Sequence, residues 1–207
     1  MKYINNYLSK QCSVDLQKLF SQSKNPLKEI SESYGAYKNL VPYLENIKDV
    51  ANIFIGDGSL CMTGVLFSFL TRNWSISIDP LINENKINSF SKEINLQHFI
   101  YEKSLFQNTM YSDYVKQNFK YYNIVLVHSH VNIREVIKKF PNWKYMYVNL
   151  CCCKNNQTFT IADLKERNIQ VISYGVDNQI LSEKNEVVIY KNGRFTWTNF
   201  SMLLSII

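Results

Sequence analysis

The chain has 207 residues, a net charge of +6 and 46% apolar residues, enough for a full globular core. It holds no apolar run of the roughly 18 residues that a transmembrane helix needs, so no membrane contact is expected. The N-terminal MKYINNYLSKQC lacks the apolar stretch of a signal peptide. Five cysteines are present, and Cys151, Cys152 and Cys153 are adjacent. Neighbouring cysteines make poor disulfide partners, because a bridge needs a particular Cα separation. No C-x-x-C pair and no local Cys/His spacing of a zinc site exists, so no metal is expected. These features read as a reduced, intracellular and most simply cytoplasmic protein.

In chain order, residues 1–48 read as an N-terminal helical region. Leu16, Leu19 and Phe20 form one apolar cluster at helical spacing, and Leu27, Ile30 and Tyr34 a second. Gly35 is expected to break the helix within Ser31–Tyr37, with a further short helix over Leu40–Ile47. Residues 49–207 then read as one α/β domain. Asn52–Ile55 is a strand, Gly56-Asp57-Gly58-Ser59 a turn, Met62–Leu70 an apolar helix, and Ser75–Ile78 a second strand closed by Asp79.

Beyond Asp79, strands are expected at Gln97–Tyr101, Tyr122–His128, Tyr145–Leu150 and Val171–Tyr174. Helices are expected over Leu81–Glu93 (after a loop), Met110–Phe119, Ile133–Phe140 and Ile161–Arg167, the last with Thr160 as N-cap. Tyr122–His128 is continuous and apolar, as buried parallel strands are. A hairpin is expected from Val187–Tyr190 to Phe195–Thr198 about Asn192-Gly193, and Phe200–Ile207 as a last strand or helix. Strands alternating with helices and closing on a hairpin predict an α/β fold: a Rossmann-like, mostly parallel twisted sheet with a C-terminal antiparallel hairpin, flanked by helices.

Ligands bind at the carboxyl ends of such strands. Those ends carry Gly56–Ser59, Asp79, Glu102, His128–His130 and Cys151–Lys154. Gly56 and Gly58 let backbone approach a ligand closely. Asp79 follows Gly58 at roughly the 20-residue spacing at which an acid reaches a ribose hydroxyl. A third glycine at the dinucleotide spacing is absent, since Cys61 stands there and Gly64 comes later.

A glycine turn after strand one, acids after strands two and three, and a closing hairpin together resemble the class I S-adenosylmethionine-dependent methyltransferases over roughly residues 50–200. The resemblance implies S-adenosylmethionine as cofactor. Gly56, Asp57, Gly58 and Ser59 would lie against its methionine part, Asp79 at the ribose hydroxyls and Glu102 near the adenine. His128-Ser129-His130 stands where many amino-group methyltransferases carry Asn/Asp-Pro-Pro-aromatic, so His128 and His130 are the catalytic candidates, as proton acceptors.

Residues 121–170 hold seven Lys or Arg against three acids. Arg134, Lys138, Lys139, Lys144 and Lys154 are the candidate contacts to an RNA substrate, with tyrosines and Trp143 available to stack on bases. Two other functions compete: an inactive methyltransferase-like scaffold that binds RNA or a protein partner, and an NAD(P)-dependent enzyme.

Overall fold

The computed structural model describes residues 1–44, 50–71 and 73–193. Among these, seven strands form one sheet: β1 (Val50–Ile55), β2 (Trp74–Ile78), β3 (Phe99–Glu102), β4 (Tyr121–Val127), β5 (Trp143–Asn149), β6 (Ile169–Val176) and β7 (Glu186–Asn192). The helices are α1 (Lys2–Leu8), α2 (Cys12–Phe20), α3 (Pro26–Leu44), α4 (Met62–Thr71), α5 (Glu84–Ile94), α6 (Tyr111–Asn118), α7 (Ile133–Lys139), α8 (Lys154–Gln157) and α9 (Ile161–Glu166).

The strand order is β3-β2-β1-β4-β5-β7-β6. Strands β1 to β5 pair in parallel, and β7 runs antiparallel to both β5 and β6. Dinucleotide-binding folds place strand six directly beside strand five. Here β7 is inserted between them. The antiparallel pairs observed are β7 with β5 and β7 with β6; the second arm of the hairpin expected from Val187–Tyr190 to Phe195–Thr198 lies outside the described residues, as do all of residues 194–207.

Alternation along the strands sends side chains to two layers. Ile53, Ile55, Ile76, Ile78, Ile124 and Leu126 pack with Val115, Val136 and Leu164 of α6, α7 and α9. On the other face Phe54, Val125 and Tyr147 pack with Ala36 and Leu40 of α3 and Phe67 of α4. The helices of residues 1–44 share their core with the sheet layer: Tyr7, Leu16, Leu19, Phe20 and Tyr34 meet Val65, Leu66 and Ile87 of α4 and α5.

The expected break at Gly35 is absent, because α3 runs unbroken from Pro26 to Leu44. Gly35 has a packing role instead. A Cβ there would stand 3.0 Å from Ile180 Cγ1 and 3.2 Å from Tyr3. The connection from β6 to β7 thereby lies against α3, and Leu181 N donates to Ser31 Oγ at 2.8 Å. Asp177 in the same connection accepts from Tyr3 Oη and Asn39 Nδ2, both at 2.7 Å. Among the described residues no helix is long and apolar enough to cross a membrane.

Candidate functional site

The sheet's connections reverse direction between β1 and β4, and a crevice opens at the carboxyl ends of strands at such a switch point. The Gly56–Ser59 turn leaves β1 there, and His128-Ser129-His130 leaves β4 beside it. Gly56 and Gly58 have φ of 75° and 73°, left-handed values that only glycine adopts without strain. A Cβ on Gly56 would come within 2.7 Å of Ser129 Oγ, whereas one on Gly58 would meet nothing within 4 Å. Gly56 lets the two loops touch, and Gly58 leaves open room in front of the turn.

That room is part of a cleft of about 530 Å³. The turn, Met62, Thr63 and His128 form one wall, and Lys28, Glu29 and Glu32 of α3 another. Asp79 and Glu102 do not line it. Asp79 is largely buried against the turn, where Oδ2 accepts from Gly58 N at 2.9 Å and Oδ1 from Leu81 N at 2.7 Å. A carboxylate has about four lone-pair sites, so each oxygen keeps capacity for one more donor.

Asp57 turns inward. Its Oδ1 accepts from Thr63 N at 3.1 Å, and its Oδ2 from Gly64 N at 2.9 Å and Ser77 Oγ at 2.7 Å. Thr63 and Gly64 belong to the first turn of α4, whose N–H groups have no partner within the helix. Asp57 therefore caps α4 from five residues before its start, seated at the positive end of the helix dipole. Burial pushes its carboxyl up to about 6, against the hydrogen bonds from Ser77, Gly64 and Thr63 that pull it down.

Because that value exceeds the ordinary one, near 4, the native state takes up the extra proton between about pH 4 and pH 6, so this group's contribution to stability is lost as pH rises through the window. Urea midpoints should show the fall in wild type, and the fall should flatten in Asp57→Asn. An equal fall in the variant would assign it to another group.

Glu102 is engaged by its own loop. It accepts from Ser104 Oγ at 3.0 Å, Met110 N at 3.1 Å and Tyr111 N at 3.2 Å, and also from Thr109 Oγ1. Burial raises its carboxyl, but these donors outweigh it and leave the group below the ordinary range. Its evident work is to order the segment between β3 and α6.

The two histidines face different partners. His128, itself at φ 50°, places Nε2 at 2.7 Å from Glu32 Oε1 and 3.4 Å from Ser182 Oγ. Glu32 is 3% exposed and also pairs with Lys28 Nζ at 3.5 Å. Burial, and then the Glu32 charge, pushes the neighbouring Glu29 carboxyl up. Neither Glu29 nor Glu32 is marked by any motif in the sequence. The apolar spacing gives no signal for Glu32, which stands two residues from both Ile30 and Tyr34 and so on the other side of the helix. His130 is exposed and stands 3.5 Å through Nδ1 from Cys153 Sγ.

No family model matches the sequence, and neither does any curated protein. Solved structures do match by fold. An rRNA methylase from Streptococcus thermophilus aligns at TM-score 0.52 and 13% identity, over 76% of this chain and 95% of that one. The N-terminal domain of human METTL16 in complex with SAH aligns at TM-score 0.51 and 13% identity, over 83% and 71%. A mutant of MtNAS in complex with S-adenosylmethionine aligns at TM-score 0.50 and 11% identity, over 91% and 76%.

The fold is that of the class I S-adenosylmethionine-dependent methyltransferases. At these identities the likeness concerns the fold and not the reaction. Within that methyltransferase fold, Gly64 takes the place of the missing third glycine. It lies in the first turn of α4, and a Cβ there would collide with Ser77 Oγ and stand 3.0 Å from Asp57 Oδ2 and 3.2 Å from Phe54 Cδ2. Close seating of the helix on the strands is the third glycine's work in a nucleotide-binding turn. The longer spacing makes room for Asp57 to reach the helix end.

The basic candidates of this methyltransferase fold have partners inside the molecule. Arg134 donates from Nε and Nη2 to Asp163 Oδ2 at 3.0 and 2.6 Å. Lys138 pairs with Glu135 at 2.7 Å, and Lys139 donates to Gln107 O at 2.6 Å. Lys144 lies over the Tyr121 ring at 4.3 Å, and Lys154 pairs with Glu186. Lys144 is the second residue of β5, at the opposite end of the strands from the glycine turn. Trp143 is buried in the core and offers no stacking face.

Beyond β5, Cys151 is buried, Cys152 exposed and Cys153 between. Burial and the adjacent Cys151 thiol push Cys153 up to about 11, so a free Cys153 stays a neutral thiol and a poor nucleophile near pH 7.

Proposed function

We propose that the chain is an S-adenosylmethionine-dependent methyltransferase. The observation that carries this is the placement of Asp57 at the α4 N-terminus. In dinucleotide-binding folds the pyrophosphate occupies that helix end and uses its free N–H groups. Here a carboxylate already holds the N–H groups of Thr63 and Gly64. A second anion would meet like charge with few donors left. A cofactor that is a cation at sulfur and carries no phosphate meets the opposite situation, which disfavours the NAD(P) reading.

The residues fit such a cofactor. Gly58 leaves open space over the turn, the cleft has room for a nucleoside ligand, and Asp79 retains acceptor capacity for ribose hydroxyls. Lys28 and Glu29 offer a cation and an anion to an amino-acid end. When bound, the cofactor supplies an electrophilic methyl group. The chain's part is to hold the acceptor in line with it and to take a proton from a protic acceptor. His128, oriented by Glu32, is the group in the cleft suited to that proton transfer.

RNA is the acceptor that the net charge of +6 favours, and Lys24 and Lys28 stand at the cleft. A small amine is favoured by a different observation, the carboxyl pair Glu29 and Glu32 in the cleft wall. Methyl-labelled cofactor offered with total RNA and with a panel of primary amines separates the two. Label in RNA supports the first acceptor and label in amine alone the second. Cofactor binding with no transfer to either would overturn the enzymatic reading and leave a binding or scaffold role.

A further inference from the structure

The sequence shows an isolated His-x-His and, further on, three adjacent cysteines. The fold brings them together, because β4 and β5 are neighbours and both loops leave at the carboxyl ends. A ring nitrogen of His130 and the Sγ atoms of Cys151 and Cys152 all lie within 4.8 Å of one another. Cys153 Sγ lies outside that mutual set but close to two of its members, 2.8 Å from Cys151 Sγ and 3.5 Å from His130 Nδ1, and is the candidate fourth donor.

The cluster is braced from behind. Gln157 is fully buried. Its Oε1 accepts from Cys151 N at 2.7 Å, and its Nε2 donates to Ser129 O. One side chain thus ties the loop that carries His130 to the loop that carries Cys151. The Cys153 backbone N–H donates to Cys151 Sγ at 3.4 Å.

We infer that His130, Cys151, Cys152 and Cys153 form a site for a thiophilic d10 cation, zinc(II). Thiolate sulfur and imidazole nitrogen select such ions over hard cations. A tetrahedral zinc site has Zn–S distances of about 2.3 Å, hence sulfur pairs about 3.7 Å apart. Cys151 and Cys153 must part by roughly 1 Å to meet it, and Cys153 must turn toward Cys152; the half-exposed Cys153 allows both by rotating. Each coordinating thiol gives up its proton to solvent on binding. A groove of about 530 Å³ lined by His128, His130, Cys151, Cys152 and Ser182 leads to the site. The proposal does not depend on the cofactor reading.

The test uses the full chain, reduced and stripped of metal, titrated with cobalt(II) as a coloured stand-in and then with zinc(II). One equivalent should give thiolate-to-cobalt charge-transfer absorption with tetrahedral ligand-field bands, and zinc should displace it. His130→Ala and Cys152→Ser change exposed residues, so the fold is expected to survive. Each should weaken binding at least about 100-fold, whereas Cys12→Ser should leave it unchanged. Gln157→Ala should keep the cobalt spectrum but weaken affinity by about 10- to 100-fold. No charge-transfer band in wild type, or binding unaltered in both His130→Ala and Cys152→Ser, would overturn the site. So would recovery of Cys151 and Cys153 as a disulfide from protein kept in reductant.

Discussion

Replacing Asp79 by alanine is expected to weaken S-adenosylmethionine binding by about 2–4 kcal/mol, roughly 30- to 700-fold. Two effects contribute. The carboxylate oxygens each keep capacity for one ribose hydroxyl, and charge-assisted hydrogen bonds are the stronger kind. The same oxygens hold Gly58 N and Leu81 N, so their loss frees the turn that the cofactor must meet. Asp79→Asn separates the two, since an amide keeps one acceptor but loses the charge. It should fall between wild type and Asp79→Ala, with a thermal midpoint closer to wild type. Equal binding in all three proteins would remove Asp79 from the cofactor site.

Gly64→Ala should destabilise the fold by roughly 3 kcal/mol. In an exposed helix this change gains about 1 kcal/mol. Here the added methyl would press on Ser77 Oγ, Asp57 Oδ2 and the Phe54 ring, and overpacking of that kind costs about 1–3 kcal/mol. Displacing Ser77 also breaks its bond to Asp57, leaving a buried acceptor short of a donor at about 1–3 kcal/mol. For a chain of this size the thermal midpoint should drop by about 10 °C. Adding Ser77→Ala removes the offending oxygen and should recover part of the loss. A midpoint that rises in Gly64→Ala would mean that α4 does not sit against β1 and β2 as described.

The unit from β1 through the glycine turn and α4 to β2 and Asp79 was legible in the sequence because its contacts are local. The strand Asn52–Ile55, the helix from Met62 and the strand Ser75–Ile78 differ from the observed elements only at their ends. The buried runs of β4 and β5 were legible for the same reason, as was the Thr160 cap, whose reciprocal bonds with Asp163 span three residues. What escaped depends on residues far apart in the chain. The place of β7 between β5 and β6 is decided by long-range pairing. Gly35 reads as a helix breaker until Ile180 is known to press on it. Asp57 reads as a turn residue or ligand contact, and only the fold shows Thr63, Gly64 and Ser77 converging on its carboxylate. Glu29 and Glu32 were hidden within a helix read by its apolar residues. The basic segment 134–154 looked like an RNA face, yet its candidates each have partners in the molecule that the sequence does not reveal.

The cleft in front of Gly56–Ser59 is proposed to receive S-adenosylmethionine and not a dinucleotide. Titration calorimetry of the full chain near pH 7.5 tests it most directly, with S-adenosylmethionine, S-adenosylhomocysteine, NAD and NADP as ligands. One site per chain is expected for the first two, lost or strongly weakened in Asp79→Ala, with no heat from either dinucleotide. Dinucleotide binding, or no binding of S-adenosylmethionine and S-adenosylhomocysteine, would contradict it.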